Sequence, residues 1–170
     1  MSLPTLKVRV LKLKSLLAIV QNAIREENYL FRNLYAQVEE MGEVDILEDG
    51  RNSCAVFVSW ILLALEMIKK PHASVDSTER DLIASGWFEI DDPKPGAVIV
   101  YGATDEVQPF LGIKGVEHRH MGFYIGNDEV ISNSSNNGRV PTKHHYTYGT
   151  NADGSPKRKV EKIYWHHDLD

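Results

Sequence analysis

His120-Met121-Gly122-Phe123-Tyr124-Ile125-Gly126-Asn127-Asp128-Glu129-Val130-Ile131-Ser132-Asn133 is the stretch that decides the fold. Two apolar runs, His120 to Ile125 and Val130 to Asn133, flank a short polar connection, which is the pattern of a β-hairpin. Upstream, Pro93-Lys94-Pro95-Gly96 reads as a turn leading into the strand Ala97-Val98-Ile99-Val100-Tyr101. Residues 102 to 118 read as a loop, and Lys159 to Trp165 makes a last strand. The second half of the chain is therefore expected to form an antiparallel sheet.

The first half reads as helical. Leu13, Leu16, Leu17, Val20 and Ile24 recur at helical spacing, and Leu30, Leu34 and Val38 extend the pattern, so residues 6 to 41 are expected to be a packing helix pair. The basic residues of its first turns offer a lesser role, contact with an anionic surface. Glu48-Asp49-Gly50 then turns the chain, and Asn52 or Ser53 can cap a second helix over 54–69. That helix is apolar nearly all round, as a helix inside a domain must be. A third helix is expected from Ser77 to Ser85, ended by Gly86. Helices followed by an antiparallel sheet define an α+β domain, with residues 1–45 as an N-terminal helical segment packed on a core of residues 46–170.

Composition narrows the functions. A chain of 170 residues fits one domain, and its formal net charge of −5 argues against a nucleic-acid partner. The longest apolar segment, Cys54 to Leu65, is shorter than the roughly 20 residues a membrane span needs. No secretory signal is evident at the N-terminus, so the reading expects a soluble chain, cytoplasmic or released by lysis. The single cysteine excludes an internal disulfide and a multi-cysteine zinc cage, and it makes Cys54 the one possible thiol nucleophile.

Cys54 opens the buried helix, where free N–H groups favour an anion, so its pKa is expected to fall below the free value of about 8.5. The same groups can hold an oxyanion. A lone cysteine on an apolar helix is more often an inert core residue. His120 gives it a partner: even-numbered side chains share one face of the strand, and Gly122 clears space beside the imidazole.

Together these segments resemble a known set. Asn52 to Trp60 resembles the nucleophile helix of the NlpC/P60 and CHAP cysteine hydrolases, Pro93 to Val100 resembles the turn and strand that follow it, and His120 to Gly126 is similar to the histidine strand. The resemblance covers residues 52–133. Many members carry aspartates where this chain has Asn52 and Ser53 before Cys54 and Ala97 after Gly96. The resemblance implies a circularly permuted papain-like fold, a Cys54–His120 pair without metal or cofactor, and a third polar residue that orients the histidine. It also implies cleavage of amide bonds in peptides or in peptidoglycan stem peptides and their glycan link. A thiol acyltransferase or another cysteine peptidase would use the same pair, and a non-catalytic module would use the cleft to bind a peptide or glycan.

Asn133 is expected to orient His120, with Ser132 as competitor. Ungapped comparison with the family favours Ser132, whereas a hairpin pairing Ile125 with Val130 brings Asn133 to the His120 face. The alternative pairing, through a three-residue loop, would need Asp128 in the left-handed region where glycine is preferred. Of the other histidines, His118 reads as a rim residue. His144 and His145 lie in an aromatic-rich stretch that either lines a groove or faces solvent, and His166-His167 pack or fray at the end. None has convincing zinc-ligand spacing. The polar run Ser134 to Gly138 reads either as a recognition loop or as a turn.

Overall fold

The computed structural model describes residues 9–103, 108–116, 118–133, 135 and 138–170. Ser134, Asn136 and Asn137, and the start of the expected N-terminal helix, lie outside the described residues. The described chain is mixed α and β, with antiparallel pairing throughout its sheets. Its elements in order are α1 (Lys12–Asn22), β1 (Tyr35–Val38), β2 (Gly42–Asp45), α2 (Cys54–Ala64), α3 (Val75–Ala84), β3 (Phe88–Glu89), β4 (Val98–Tyr101), β5 (Gln108–Phe110), β6 (Ile113–Val116), β7 (His120–Gly126), β8 (Glu129–Asn133), β9 (Pro141–His145) and β10 (Val160–Trp165). A 3₁₀ turn, His167–Leu169, follows.

Six strands form the central sheet in the order β3-β10-β4-β7-β8-β9. β4 lies fully buried between β10 and β7, which explains its unbroken run of apolar residues. α2 packs across β7 and β8, and the edge of Phe57 meets the Phe123 ring at 5.8 Å. Phe31 closes the other side of Phe57 at 5.1 Å. α1 adds Leu16 and Val20 to this same core. No helix among the described residues is long and apolar enough to cross a membrane.

Four expectations need correction. The helical reading of residues 6 to 41 holds only for α1, because Tyr35–Val38 and Gly42–Asp45 pair as a hairpin. Its turn places Glu40 and Gly42 at φ 66° and 81°. The second helix stops at Ala64 rather than at residue 69. Glu66 takes a left-handed conformation (φ 55°), so that the Met67 N–H reaches the Leu62 carbonyl at 2.9 Å and the Glu66 N–H reaches that of Leu63 at 3.0 Å. This Schellman closure usually uses glycine, and here a glutamate fills the position. Within the segment expected to be a loop, β5 and β6 form a separate two-stranded sheet. α3 begins at Val75, two residues before the expected Ser77, because Ser74 caps it by accepting the Ser77 N–H.

Candidate active site

Cys54 is the first residue of α2 and is half-buried. Neither expected cap operates: Ser53 takes the N-cap position without a side-chain cap bond, and Ser53 Oγ and Asn52 Nδ2 are buried without partners. The first helical bond runs from the Phe57 N–H to the Ser53 carbonyl, which leaves the N–H groups of the first turn open. The backbone N–H groups of Met121, Ala55 and Cys54 itself face the sulfur and favour its anionic form. Met121 follows His120 directly, so the thiol is seated against the backbone of the histidine strand. No direct hydrogen bond joins thiol and imidazole among the described residues.

His120 is 8 % exposed, and its Nε2 lies 2.8 Å from Ser132 Oγ. Ser132 Oγ lies in turn 2.9 Å from His144 Nε2, and His144 Nδ1 is 2.9 Å from the His145 carbonyl oxygen. That last contact fixes every proton. A carbonyl only accepts, so His144 Nδ1 carries the hydrogen and, in the neutral ring, Nε2 accepts the Ser132 hydroxyl proton. Ser132 Oγ then accepts from His120 Nε2–H. His120 Nδ1 is left as the basic nitrogen, the atom able to take a proton from a thiol. Tyr101 and Tyr148 flank the ring at 5.8 and 6.2 Å, and Tyr148 stacks on His144 at 4.0 Å.

The structure replaces Asn133 with Ser132 as the partner of His120. Asn133 Nδ2 donates to the Gly50 carbonyl at 3.1 Å, tying the loop before α2 to the sheet. The cause is one residue of register. Gly126 pairs with Glu129 around a two-residue loop, but the next pairs are Tyr124 with Val130 and Phe123 with Ile131. Ile125 is therefore bulged out of the ladder. Gly126 at φ 97° accommodates the step, and Asn127 and Asp128 both take left-handed conformations at 54° and 57°. The bulge shifts every later residue of β8 by one, which turns Ser132 onto the His120 face.

These different partners predict different failures. Ser132→Ala should lower turnover roughly 10²-fold, the lower end of what positioned proton-transfer groups supply. It should also remove the preference for the Nε2–H tautomer of His120, read by ¹⁵N NMR. Asn133→Ala should instead lower stability by about 1–2 kcal/mol, through the loss of a buried bond to a backbone carbonyl. Equal turnover losses in the two variants would remove Ser132 from the role.

Burial raises the Cys54 pKa, and the Met121 N–H, the charge of Arg158 and the N–H groups of the helix start only partly offset it. The expected depression is thus corrected: a helix terminus alone does not outweigh desolvation of the thiolate. Burial also holds His120 well below the usual imidazole range, with Arg158 and His144 pushing the same way. Both directions favour the uncharged forms, a thiol and a neutral imidazole. Since the thiol pKa is raised, its thiolate fraction grows only at high pH. Native Cys54 should alkylate with iodoacetamide at a rate still climbing past about pH 8.5, the free-thiol midpoint. A plateau reached by pH 7 would mean a stable thiolate and would contradict the neutral pair.

His145 is exposed, with Nδ1 accepting from the Thr147 backbone. His166 Nε2 contacts the Ser85 carbonyl at 3.0 Å and its ring packs on Trp87, while His167 lies against Phe88. Sequence reasoning left His144 and Tyr148 undecided, within one aromatic-rich stretch, and missed Tyr101 and Arg158. A signal for His144 was present, since 120, 132 and 144 share parity, but only a known register converts parity into contact. Among the described residues no group of three histidine, cysteine or acidic side chains is placed to hold a metal ion. No family model matches this chain, and no curated protein or solved structure matches it either.

Proposed function

We propose that the chain is a cysteine hydrolase of the NlpC/P60–CHAP type, on a circularly permuted papain-like core, that cleaves amide bonds in peptides or peptidoglycan fragments. One observation carries the reading. The run His145 carbonyl, His144, Ser132, His120 has a single direction, and it presents a basic nitrogen on the strand whose next N–H holds the only thiol. A core cysteine needs no such arrangement. In the proposed reaction His120 Nδ1 takes the Cys54 proton as the sulfur attacks the carbonyl carbon. The proton passes to the leaving amine as the C–N bond breaks, and water then releases the acyl group from sulfur. The N–H groups of the first turn of α2, which have no helical acceptor and face the sulfur, are the donors that would pass to the oxyanion as the sulfur is consumed.

The order of elements, nucleophile helix before histidine strand, agrees with the resemblance of residues 52–133. The test is incubation with defined muropeptides and with peptide amides, followed by mass spectrometry of the products and of the protein. New amine termini together with an acyl adduct on Cys54 are the expected result. An adduct passed to an added amine instead of water would assign a transferase, and no adduct with any substrate would leave a binding module.

A further inference from the structure

Tyr148 stands where a glycine is expected. Its φ of 60° is left-handed, a region that strains a bulky aromatic residue, and Gly149 beside it, at φ 98°, is the residue type such a turn ordinarily uses. The turn is held from both sides. The Tyr148 N–H reaches the His145 carbonyl at 2.9 Å, and the Thr147 N–H reaches His145 Nδ1 at 3.1 Å. Thr147 Oγ1 donates to the Gly149 carbonyl at 2.9 Å. The N–H groups of Arg158 and Lys157 reach the carbonyls of Thr147 and Gly149, both at 3.0 Å. Strain that is over-determined in this way collects at functional positions.

What the strain delivers is a ring. Tyr148 lies nearly flat on His144, with centroids 4.0 Å apart and planes at 20°, and it meets the Tyr101 ring edge-on at 5.4 Å. Tyr101 is fully buried and its hydroxyl donates to the Tyr146 carbonyl at 2.9 Å. A fixed ring therefore backs Tyr148, and Tyr148 in turn covers one face of His144. The imidazole needs that cover. Torsion about its Cβ–Cγ bond is broad and roughly two-fold, so the rotamer alone does not choose between the ring and its flipped form. A half-turn would carry Nε2 away from Ser132 Oγ and put a carbon there. The hydrogen bonds of His144 oppose the flip, but the residue is only half-buried and water competes for them. To flip, the ring must swing its edge through the space that Tyr148 fills.

We propose that Tyr148 is a positioning residue, whose ring clamps His144 in the one orientation that keeps Ser132 directed at His120 Nε2. It touches no reacting atom in this role. It acts through the contacts of Ser132 Oγ, 2.9 Å to His144 Nε2 and 2.8 Å to His120 Nε2. The effect on turnover rests on the hydrolase reading, but the clamp itself does not need the chemistry.

The test pairs ¹⁵N NMR of the imidazoles with steady-state kinetics on a peptide amide. In the wild type His144 should show one tautomer, Nδ1–H, and Tyr148→Asn should turn it into a mixture. Asparagine tolerates the left-handed backbone, so this variant removes the ring and keeps the turn. Tyr148→Gly, which carries no strain at this φ, is the second such variant and should behave alike. In both, kcat should fall about tenfold with KM within about twofold, since a misplaced catalytic group raises the barrier without weakening binding. Tyr148→Phe keeps the flat ring and should restore the single tautomer and most of kcat. A wild-type His144 that already mixes tautomers overturns the proposal. So does a single tautomer that survives Tyr148→Asn and Tyr148→Gly, or a rise in KM with kcat unchanged. A loss in Tyr148→Phe as large as in Tyr148→Asn overturns it too, by assigning the effect to the hydroxyl. Tautomers that mix when the ring is removed, in a protein that hydrolyses no amide, keep the clamp and remove the hydrolase; hydrolysis with kcat unmoved by Tyr148→Asn does the reverse.

Discussion

Cys54→Ala should abolish amide hydrolysis, by about 10⁴-fold or more, while the protein melts within a few degrees of the wild type. The size follows from chemistry: the covalent step has no substitute, because no second thiol exists and removal of a nucleophile typically costs nearly the whole chemical acceleration. The small stability change follows from packing. Cys54 is half-buried and its sulfur is held by backbone donors rather than by a network of side chains, so truncation loses about 1 kcal/mol. His120→Ala should match the loss of turnover but destabilise more, since it leaves Ser132 and His144 without the head of their chain. Hydrolysis that persists in Cys54→Ala and disappears with EDTA would replace the thiol mechanism with a metal-dependent one.

The parts of the molecule that could be read in advance are those where one periodicity had no rival. β4, β7 and β10 are nearly where their apolar runs put them, and α2 begins at Cys54. The N-terminal third was misread because Leu30, Leu34 and Val38 are spaced by four as on a helix, whereas Leu30 and Leu34 lie in the connection after α1 and only Val38 is in a strand. Glu40 and Gly42 turn the chain, and their left-handed conformations are set by the hairpin they close. The end of α2 was hidden for a related reason. Glu66 has no sequence signature of a helix stop, and the anchor lies at a distance: the Asp81 carboxylate accepts the N–H groups of Lys69 and Lys70 at 3.2 and 3.0 Å.

The site divides along the same line. Cys54 and His120 could be named as candidates in advance because Cys54 is the single cysteine and His120 opens an otherwise apolar strand. The orienting residue was not, because it depends on one bulged residue between two otherwise regular strands. Asn127 and Asp128 supply the tight loop as read, but Ile125 leaves the ladder and exchanges the faces of Ser132 and Asn133. Asp128 does take the left-handed conformation, because aspartate, with its short polar side chain, tolerates that region better than most residues.

Gly122→Ala should therefore be the most damaging single methyl group that can be added to the hairpin, to stability and site together. A Cβ at this position would stand 2.7 Å from the Ile131 carbonyl oxygen, 2.8 Å from the Ser132 Cβ and 2.9 Å from Val130 Cγ1. The first two atoms are main chain or rooted on it, so no rotamer change relieves the contact and the two strands must part. Overpacking of this kind costs about 3 kcal/mol. For a chain of this length that lowers the melting temperature by about 6–12 °C. The displacement acts on Ser132 itself, so the contact to His120 Nε2 should fail and turnover should fall at least as far as in Ser132→Ala. Gly126→Ala is the contrasting variant. Its nearest neighbour, Pro95 Cγ, is 3.5 Å away, and its cost is the strain of φ 97° rather than a collision. About 1 kcal/mol and a nearly intact site are expected there. If Gly122→Ala melts with the wild type and keeps its turnover, Ser132 does not lie opposite Gly122, and the proton chain built on that register falls with it.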